Sequence, residues 1–408
     1  MKFRVALLVL FSFALPTRMV TQDTTPAPSW AVERHCVDEP IRRPQTWTFD
    51  GTILMTGDAG IYGISENWGK PRVVVPLRFE QINTDLVGGA LSPDGRWYAS
   101  PFGDREHTPS NNVLTTVREI HVYGTSDEDR EHRLILEPPL ENIPHGFYIQ
   151  IYWKDSQWFL FANGEGDILI NPFTQETQPL TGYHFNDVFD SFDYYQRPHL
   201  APDFSLAVST EYGNSDAKWG LYAVPAGDRF SAEPLIQLDL AETTIVAWRL
   251  DAQLFAAEHV VDSERQLVFI NREGVIDEII YHLPEGERAG NNNTAWSSNG
   301  RYFAFVTFED LGSEYGYYDY WGSPNTLYIA DTQNQVVIDT CLSAGIGLAW
   351  SPDNTQLAFL APGDGSQPIF IMDVENFGLY RITNHLVGSI GIGENYRPNS
   401  VIGWHIYN

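Results

Sequence analysis

One short pattern recurs along the chain: a large apolar residue, two residues of any kind, Asp or Asn, then a hydrophobic alternating run. It reads WTFDGTILMTG from Trp47, LSPDGRWYASP from Leu91, YWKDSQWFLFA from Tyr152, LAPDFSLAVST from Leu200 and WRLDAQLFAAE from Trp248. It continues as WSSNGRYFAFV from Trp296 and WSPDNTQLAFL from Trp350. Successive anchors stand 44, 61, 48, 48, 48 and 54 residues apart. Three equal intervals in a row define a structural unit, and a period of this length belongs to stacked repeats. The repeat therefore overrides the expectation of two or three domains that a length of 408 residues would otherwise set.

Each copy carries one physical instruction. A short strand ends near the anchor, Asp or Asn with Gly turns the chain tightly, and an alternating strand returns, which makes a hairpin. Two further strand-like runs follow, such as IHVYG and HRLILE in the second copy or NTLYIAD and QVVIDT in the sixth. Four strands per unit make the blade of a propeller. The reading is an all-β fold, a β-propeller of about seven four-stranded blades over residues 45–408, with the Trp series as core between blades. An eighth anchor, Trp404, ends the chain without a blade of its own. It is expected to join the first blade and close the ring, so that neither terminal blade leaves an open edge; an incomplete eighth blade is the alternative. Aromatics at 13% and hydrophobics at 43% are ample for such a core.

The signatures WSPDN, LSPDG, LAPDF and WSSNG, with runs such as QLAFLAPGDGSQPIFIMDVENFGLYRIT, resemble the TolB-type, WD-repeat-like propeller family. The resemblance extends over most of residues 45–408 and implies the fold. It implies no single activity, because such propellers serve many roles, the non-catalytic propellers of dipeptidyl-peptidase-like enzymes included. Neither the separate N-terminal domain of TolB nor a hydrolase domain is expected here.

Lys2 and Arg4 precede an apolar run from Val5 to Leu15, which reads as an export signal over residues 1–22. That run is too short to span a bilayer, which takes about 20 residues; an uncleaved tether is the second reading. Residues 23–44 form a Thr/Pro-containing lead. In an exported chain the two cysteines, Cys36 and Cys341, suggest one disulfide that would pin the lead to the sixth copy, against the alternative of two free thiols. A net charge of −28 repels phosphate backbones and anionic lipid, which argues against nucleic acid as a partner. The expected protein is secreted, periplasmic or at the cell surface, monomeric, and without a transmembrane segment in its mature form.

The longest insertions, 102–112, 141–147, 181–199, 308–324 and 385–400, all fall on the blade-to-blade side by this strand reading, and loops on one rim are where such scaffolds place binding. Two are rich in acids and aromatics. The first holds Asp187, Asp190, Asp193, Tyr194 and Tyr195; the second holds Tyr315, Tyr317, Tyr318, Asp319, Tyr320 and Trp321. Tyr and Trp offer flat apolar faces with a polar tip, suited to sugars or peptides; the competing reading is that they fold back as small cores within their own loops. No calcium loop, zinc motif, GxSxG or phosphate cradle occurs, so no metal, cofactor or nucleophile is expected. A carboxylate pair drawn from Asp104, Glu106, His107, Asp187, Asp190, Glu309, Asp310 and Glu394 would suit a glycosidase. The leading expectation is thus a non-catalytic extracytoplasmic scaffold that binds a protein, peptide or glycan on the long-loop face. The alternative is a carbohydrate-active enzyme on that face.

Overall fold

The computed structural model describes residues 30–36, 48–57, 60–66, 71–76, 91–107, 113–126, 132–144, 150–162, 168–179, 199–210, 219–223, 234–241, 246–309, 325–344, 347–361, 368–382, 390–392, 395–397 and 401–406. The apolar lead, most of the Thr/Pro segment and Trp47 lie outside these. Among the described residues no α-helix occurs, and the strands assort into antiparallel sheets that follow the repeat. The chain is an all-β propeller.

Six sheets have four or five strands. The third copy gives Gln150–Trp153, Phe159–Ala162, Ile168–Ile170 and Thr177–Pro179, and the fourth gives His199–Leu200, Leu206–Thr210, Trp219–Ala223 and Ile236–Leu238. The fifth copy gives Val246–Trp248, Leu254–Val261, Glu264–Asn271 and Ile276–His282. The sixth gives Glu287–Trp296, Tyr302–Glu309, Asn325–Asp331 and Val336–Asp339, and the seventh gives Leu348–Trp350, Gln356–Leu360, Ile369–Asp373 and Leu379–Arg381. In the first sheet Thr52–Gly57, Gly60–Ser65 and Arg72–Pro76 are preceded, in spatial order, by Val401–His405, which pairs Thr52 with His405 and Ile53 with Trp404.

Among the described residues the four-stranded blades therefore number six, not the expected seven. The second copy makes a sheet of three strands, Trp97–His107, Val113–Gly124 and His132–Pro144. Of the residues described ahead of its turn, Leu91 pairs in a single bridge to Tyr98 and adds no strand to this sheet.

The repeat pattern works as a hydrogen-bonded turn. In the second copy Ser92 Oγ donates to Asp94 Oδ1 at 2.6 Å, and Trp97 N donates back to Ser92 Oγ at 2.9 Å. Ser297 with Asn299 and Ser351 with Asp353 repeat this at 2.8 and 2.6 Å. Without the serine, Asp251 Oδ1 accepts from Gln253 N at 3.0 Å, and Asp155 Oδ1 accepts from Gln157 N at 2.7 Å. The residue after Asp or Asn takes a left-handed conformation in six copies: Gly51, Gly95, Phe204, Ala252, Gly300 and Asn354 have φ of 89, 68, 56, 57, 70 and 64°. Glycine adopts that region without penalty and other residues do not.

The anchor tryptophans couple each sheet to the one before. Trp248 Nε1 donates to His199 O at 2.9 Å, Trp296 to Ala247 O at 3.0 Å, and Trp350 to Ala295 O at 2.9 Å. Each acceptor immediately precedes the previous anchor. Trp404 departs from this and donates to Asp50 O at 2.7 Å. The apolar core is divided accordingly, with each cluster filling the gap between two adjacent sheets. Phe303, Phe305 and Phe269 fill the gap between the fifth and sixth sheets, and Leu357, Phe359 and Ile329 that between the sixth and seventh. Phe49, Ile53, Met55 and Trp404 pack with Ala358, Leu360 and Ile371, which joins the first sheet to the seventh. Burying a side chain such as Phe305 contributes about 2–3 kcal/mol.

The N-terminal segment runs outside this frame. Ala31–Arg34 pairs in parallel with Val336–Asp339 and makes the sixth sheet five-stranded. Cys36 and Cys341 form a disulfide with Cα atoms 4.9 Å apart.

Candidate functional site

In an antiparallel blade the first-to-second and third-to-fourth connections leave one face, and the second-to-third and blade-to-blade connections leave the other. The first face carries the Ser/Asp turns, such as Trp296 to Tyr302 and Trp350 to Gln356, and is closed by their internal hydrogen bonds. The second carries the longest connections, from Glu309 to Asn325, Pro179 to His199 and Arg381 to Val401. Asp187, Asp190, Asp193, Tyr194, Tyr195, Tyr315, Tyr317, Tyr318, Asp319, Tyr320 and Trp321 belong to two of these and lie outside the described residues.

Three of the five expected loops contain strand among their described residues: 102–107, 141–144, and in 385–400 the pair Ile390–Ile392 and Asn395–Arg397. Asp104, Glu106 and His107 lie in Trp97–His107, opposite Thr116, Leu114 and Val113, and residues 141–144 end the strand His132–Pro144. Their sequence lacks apolar alternation, but the backbone ladder to the neighbouring strand supplies the pairing. Of the other acids offered for a catalytic pair, Glu309 ends its strand opposite Glu287; Asp310 and Glu394 lie outside the described residues.

What the structure does describe is the root of the Tyr-rich connection, where the fifth and sixth sheets meet. At its centre is Glu258, a carboxylate with no solvent exposure in the strand LFAAEHVV. Its Oε1 accepts from Ala289 N at 2.6 Å, and its Oε2 lies 3.3 Å from Arg265 Nη1. Burial raises its pKa above the ordinary carboxylate value, opposed by the Ala289 amide and by Arg265 and Arg288. Arg288 in turn lies 5.2 Å over the Phe308 ring, and the two residues are paired across the strands. Asn325 Nδ2 donates to Ala344 O at 2.7 Å, and Ser343 Oγ donates to Asn325 O at 2.9 Å. One end of the connection from Glu309 to Asn325 thus starts beside the Arg288–Phe308 pair, and the other is bonded to the segment that follows the last strand of the sixth sheet. Because both Glu258 oxygens are engaged, the group acts as a strut between blades rather than as a free acid. Its neighbour His259 has its pKa lowered by burial, with Asp239 opposing.

Sequence reasoning missed Glu258. The available signal was a lone carboxylate within an apolar alternating strand, but its partners come from two other strands and are invisible in one dimension.

Among the described residues no group of three His, Cys, Asp or Glu is placed to hold a metal ion, and no helix is long and apolar enough to cross a membrane. No protein-family model matches the sequence, and no curated protein does. Solved structures similar to it include TolB from Acinetobacter baumannii, with 12% identity over 88% of this chain and 68% of that one and a TM-score of 0.41. An oligogalacturonate lyase from Vibrio parahaemolyticus shares 12% identity over 83% of this chain and 85% of its own, with a TM-score of 0.43. A quinonprotein alcohol dehydrogenase-like protein from Bacteroides thetaiotaomicron shares 8% over 83% and 76%, with a TM-score of 0.46. On chemistry these structures add nothing.

Proposed function

We propose that the protein is a non-catalytic, extracytoplasmic binding scaffold that takes a protein, peptide or glycan on its blade-to-blade face. One observation carries this reading: the unequal length of the connections on the two faces, with the long ones rooted on a rim held by Glu258, Arg265 and Arg288. Rigid roots with long, aromatic, acid-bearing connections suit recognition. The export reading rests on the apolar lead Val5 to Leu15 and on the disulfide. We further propose that Val401–His405 closes the ring, supported by its pairing with Thr52–Gly57 and by the core shared between the first and seventh sheets.

The experiment is a binding screen of the purified chain against glycan and peptide panels, repeated with Tyr317, Tyr318 and Trp321 all replaced by Ala. Loss of the wild-type signals with unchanged melting supports the assignment; full retention removes it. New reducing ends from a polysaccharide panel would favour the second reading, a carbohydrate-active enzyme with a carboxylate pair on the same face.

A further inference from the structure

The N-terminal segment is a strap across three sheets. Trp30 is buried in the cluster between the fifth and sixth sheets, with its ring edge-on to Phe269 at 5.7 Å. Ala31–Arg34 then runs along the outer edge of the sixth sheet in register with Val336–Asp339, and all four of its residues are exposed. The His35 ring stacks on Phe377 of the seventh sheet at 4.4 Å, and the strap ends at the Cys36–Cys341 bond. Between Trp30 and Cys36 the strap is held by one row of backbone pairing, by an ion pair of the exposed Arg34 with Asp339 at 3.4 Å and by the half-buried His35 ring. Segments of that kind open locally at low free energy unless their ends are tied. The disulfide is one of those ties.

The bond is also open to attack. Cys36 is exposed, Cys341 is partly exposed, and Arg34 Nε lies 3.2 Å from Cys341 Sγ. Cys341 itself holds a left-handed φ of 54°, a conformation costly for a non-glycine residue, with its N–H bound to Asp339 Oδ1 at 2.8 Å.

We propose that Cys36–Cys341 is a redox-operated clasp: reduction by a dithiol frees the strap from the sixth sheet and leaves the propeller folded. In the first step a thiolate of the dithiol attacks Cys36 Sγ, the Cys36–Cys341 bond breaks, and Cys341 leaves as a thiolate beside the Arg34 guanidinium, which it shares with Asp339. The second thiol of the reductant, deprotonated, then displaces Cys36 from the mixed disulfide. Both cysteines end as thiols and the dithiol is oxidised to its own disulfide, so electrons and protons balance. The sixth sheet keeps its four antiparallel strands without the strap. Release uncovers the edge strand Val336–Asp339 and the slot filled by Trp30.

The test treats the full-length oxidised protein with dithiothreitol in the absence of denaturant, counts the thiols formed, and follows amide hydrogen exchange. The expected result is two thiols and exchange of residues 31–35 faster by at least about tenfold, with Tyr302–Glu309 unchanged. Continued protection of residues 31–35 after both thiols have formed would overturn the proposal, as would a bond that resists reduction until the protein is denatured, or faster exchange throughout the sixth sheet. The R34Q variant should be reduced more slowly, by severalfold, because the departing thiolate loses its cation; an unchanged rate removes Arg34 from the mechanism.

Discussion

The imidazole of His405 occupies the space that a β-carbon on Gly95 would need. The terminal strand of the first sheet thereby lies directly against the turn of the second copy, and Gly95 also has a left-handed φ of 68°. G95A should therefore cost both backbone strain and a displaced ring. Gly286 provides the control, with φ of 79° and nothing within 4 Å of the place a β-carbon would take. We expect G286A to lower the unfolding free energy by about 1 kcal/mol and G95A by about 2–4 kcal/mol, read from urea midpoints. Equal losses would mean that the ring yields freely.

The same His405 makes stability depend on pH. Burial lowers its pKa from 6.5 to about 4, with Asp94 partly opposing, and its Nε2 has no hydrogen-bond partner. The unfolded chain therefore binds the proton more readily than the folded one. Stability from this group is complete above pH 6.5 and falls as the pH drops towards 4. The loss should amount to about 2–3 kcal/mol. Denaturant titrations between these limits should show a flatter acid limb for H405N. His259, lowered in the same direction, contributes to the slope that remains.

Glu258 supplies a contrast of opposite sign, because its folded-state pKa is raised and its charged form is the disfavoured one. Its contribution diminishes as pH rises through that raised pKa. Truncation removes an acceptor from Ala289 N and a partner from Arg265. E258A should cost about 3–5 kcal/mol, whereas E258Q, which keeps a carbonyl for the amide, should cost less. Thermal melts of the two variants provide the comparison, and an E258Q loss as large as that of E258A would show that charge, not the amide contact, holds the rim.

The turn position after Asp or Asn allows a matched pair. Ala252 has φ of 57° and Gly300 φ of 70° in equivalent places. A252G should be neutral or stabilise by up to about 1 kcal/mol, while G300A should destabilise by a similar amount, since its new methyl also meets the Arg249 side chain. Stability curves that move in the same direction for both would break the equivalence of the copies.

Most of the architecture can be read in one dimension because its determinants are local. Ser351, Asp353 and Gln356 complete a turn among themselves, and the alternating run that follows states its own strand. The second copy misleads for the converse reason. FGDREHTPSNN has no apolar alternation, yet Phe102 to His107 pair along Val113–Gly124, so the outer half of a long strand reads as loop; the blade count differs for another reason, since the anchor Leu91 is present but contributes only a single bridge. The candidate face is legible as a position in the topology. Its buried strut is not, because Glu258 finds Ala289 only after two hairpins have brought the fifth and sixth sheets together.

The indole bonds of Trp248, Trp296 and Trp350 each reach the residue just ahead of the preceding anchor. These three innermost strands are thus keyed to their predecessors, as stones in an arch are cut to their neighbours. A single residue inserted ahead of an anchor would offer the next tryptophan the wrong carbonyl and turn the side chains of that strand to the opposite side. A whole copy, added or removed between two keys, would preserve the fit. Growth by entire modules is the kind of length change such a ring can absorb.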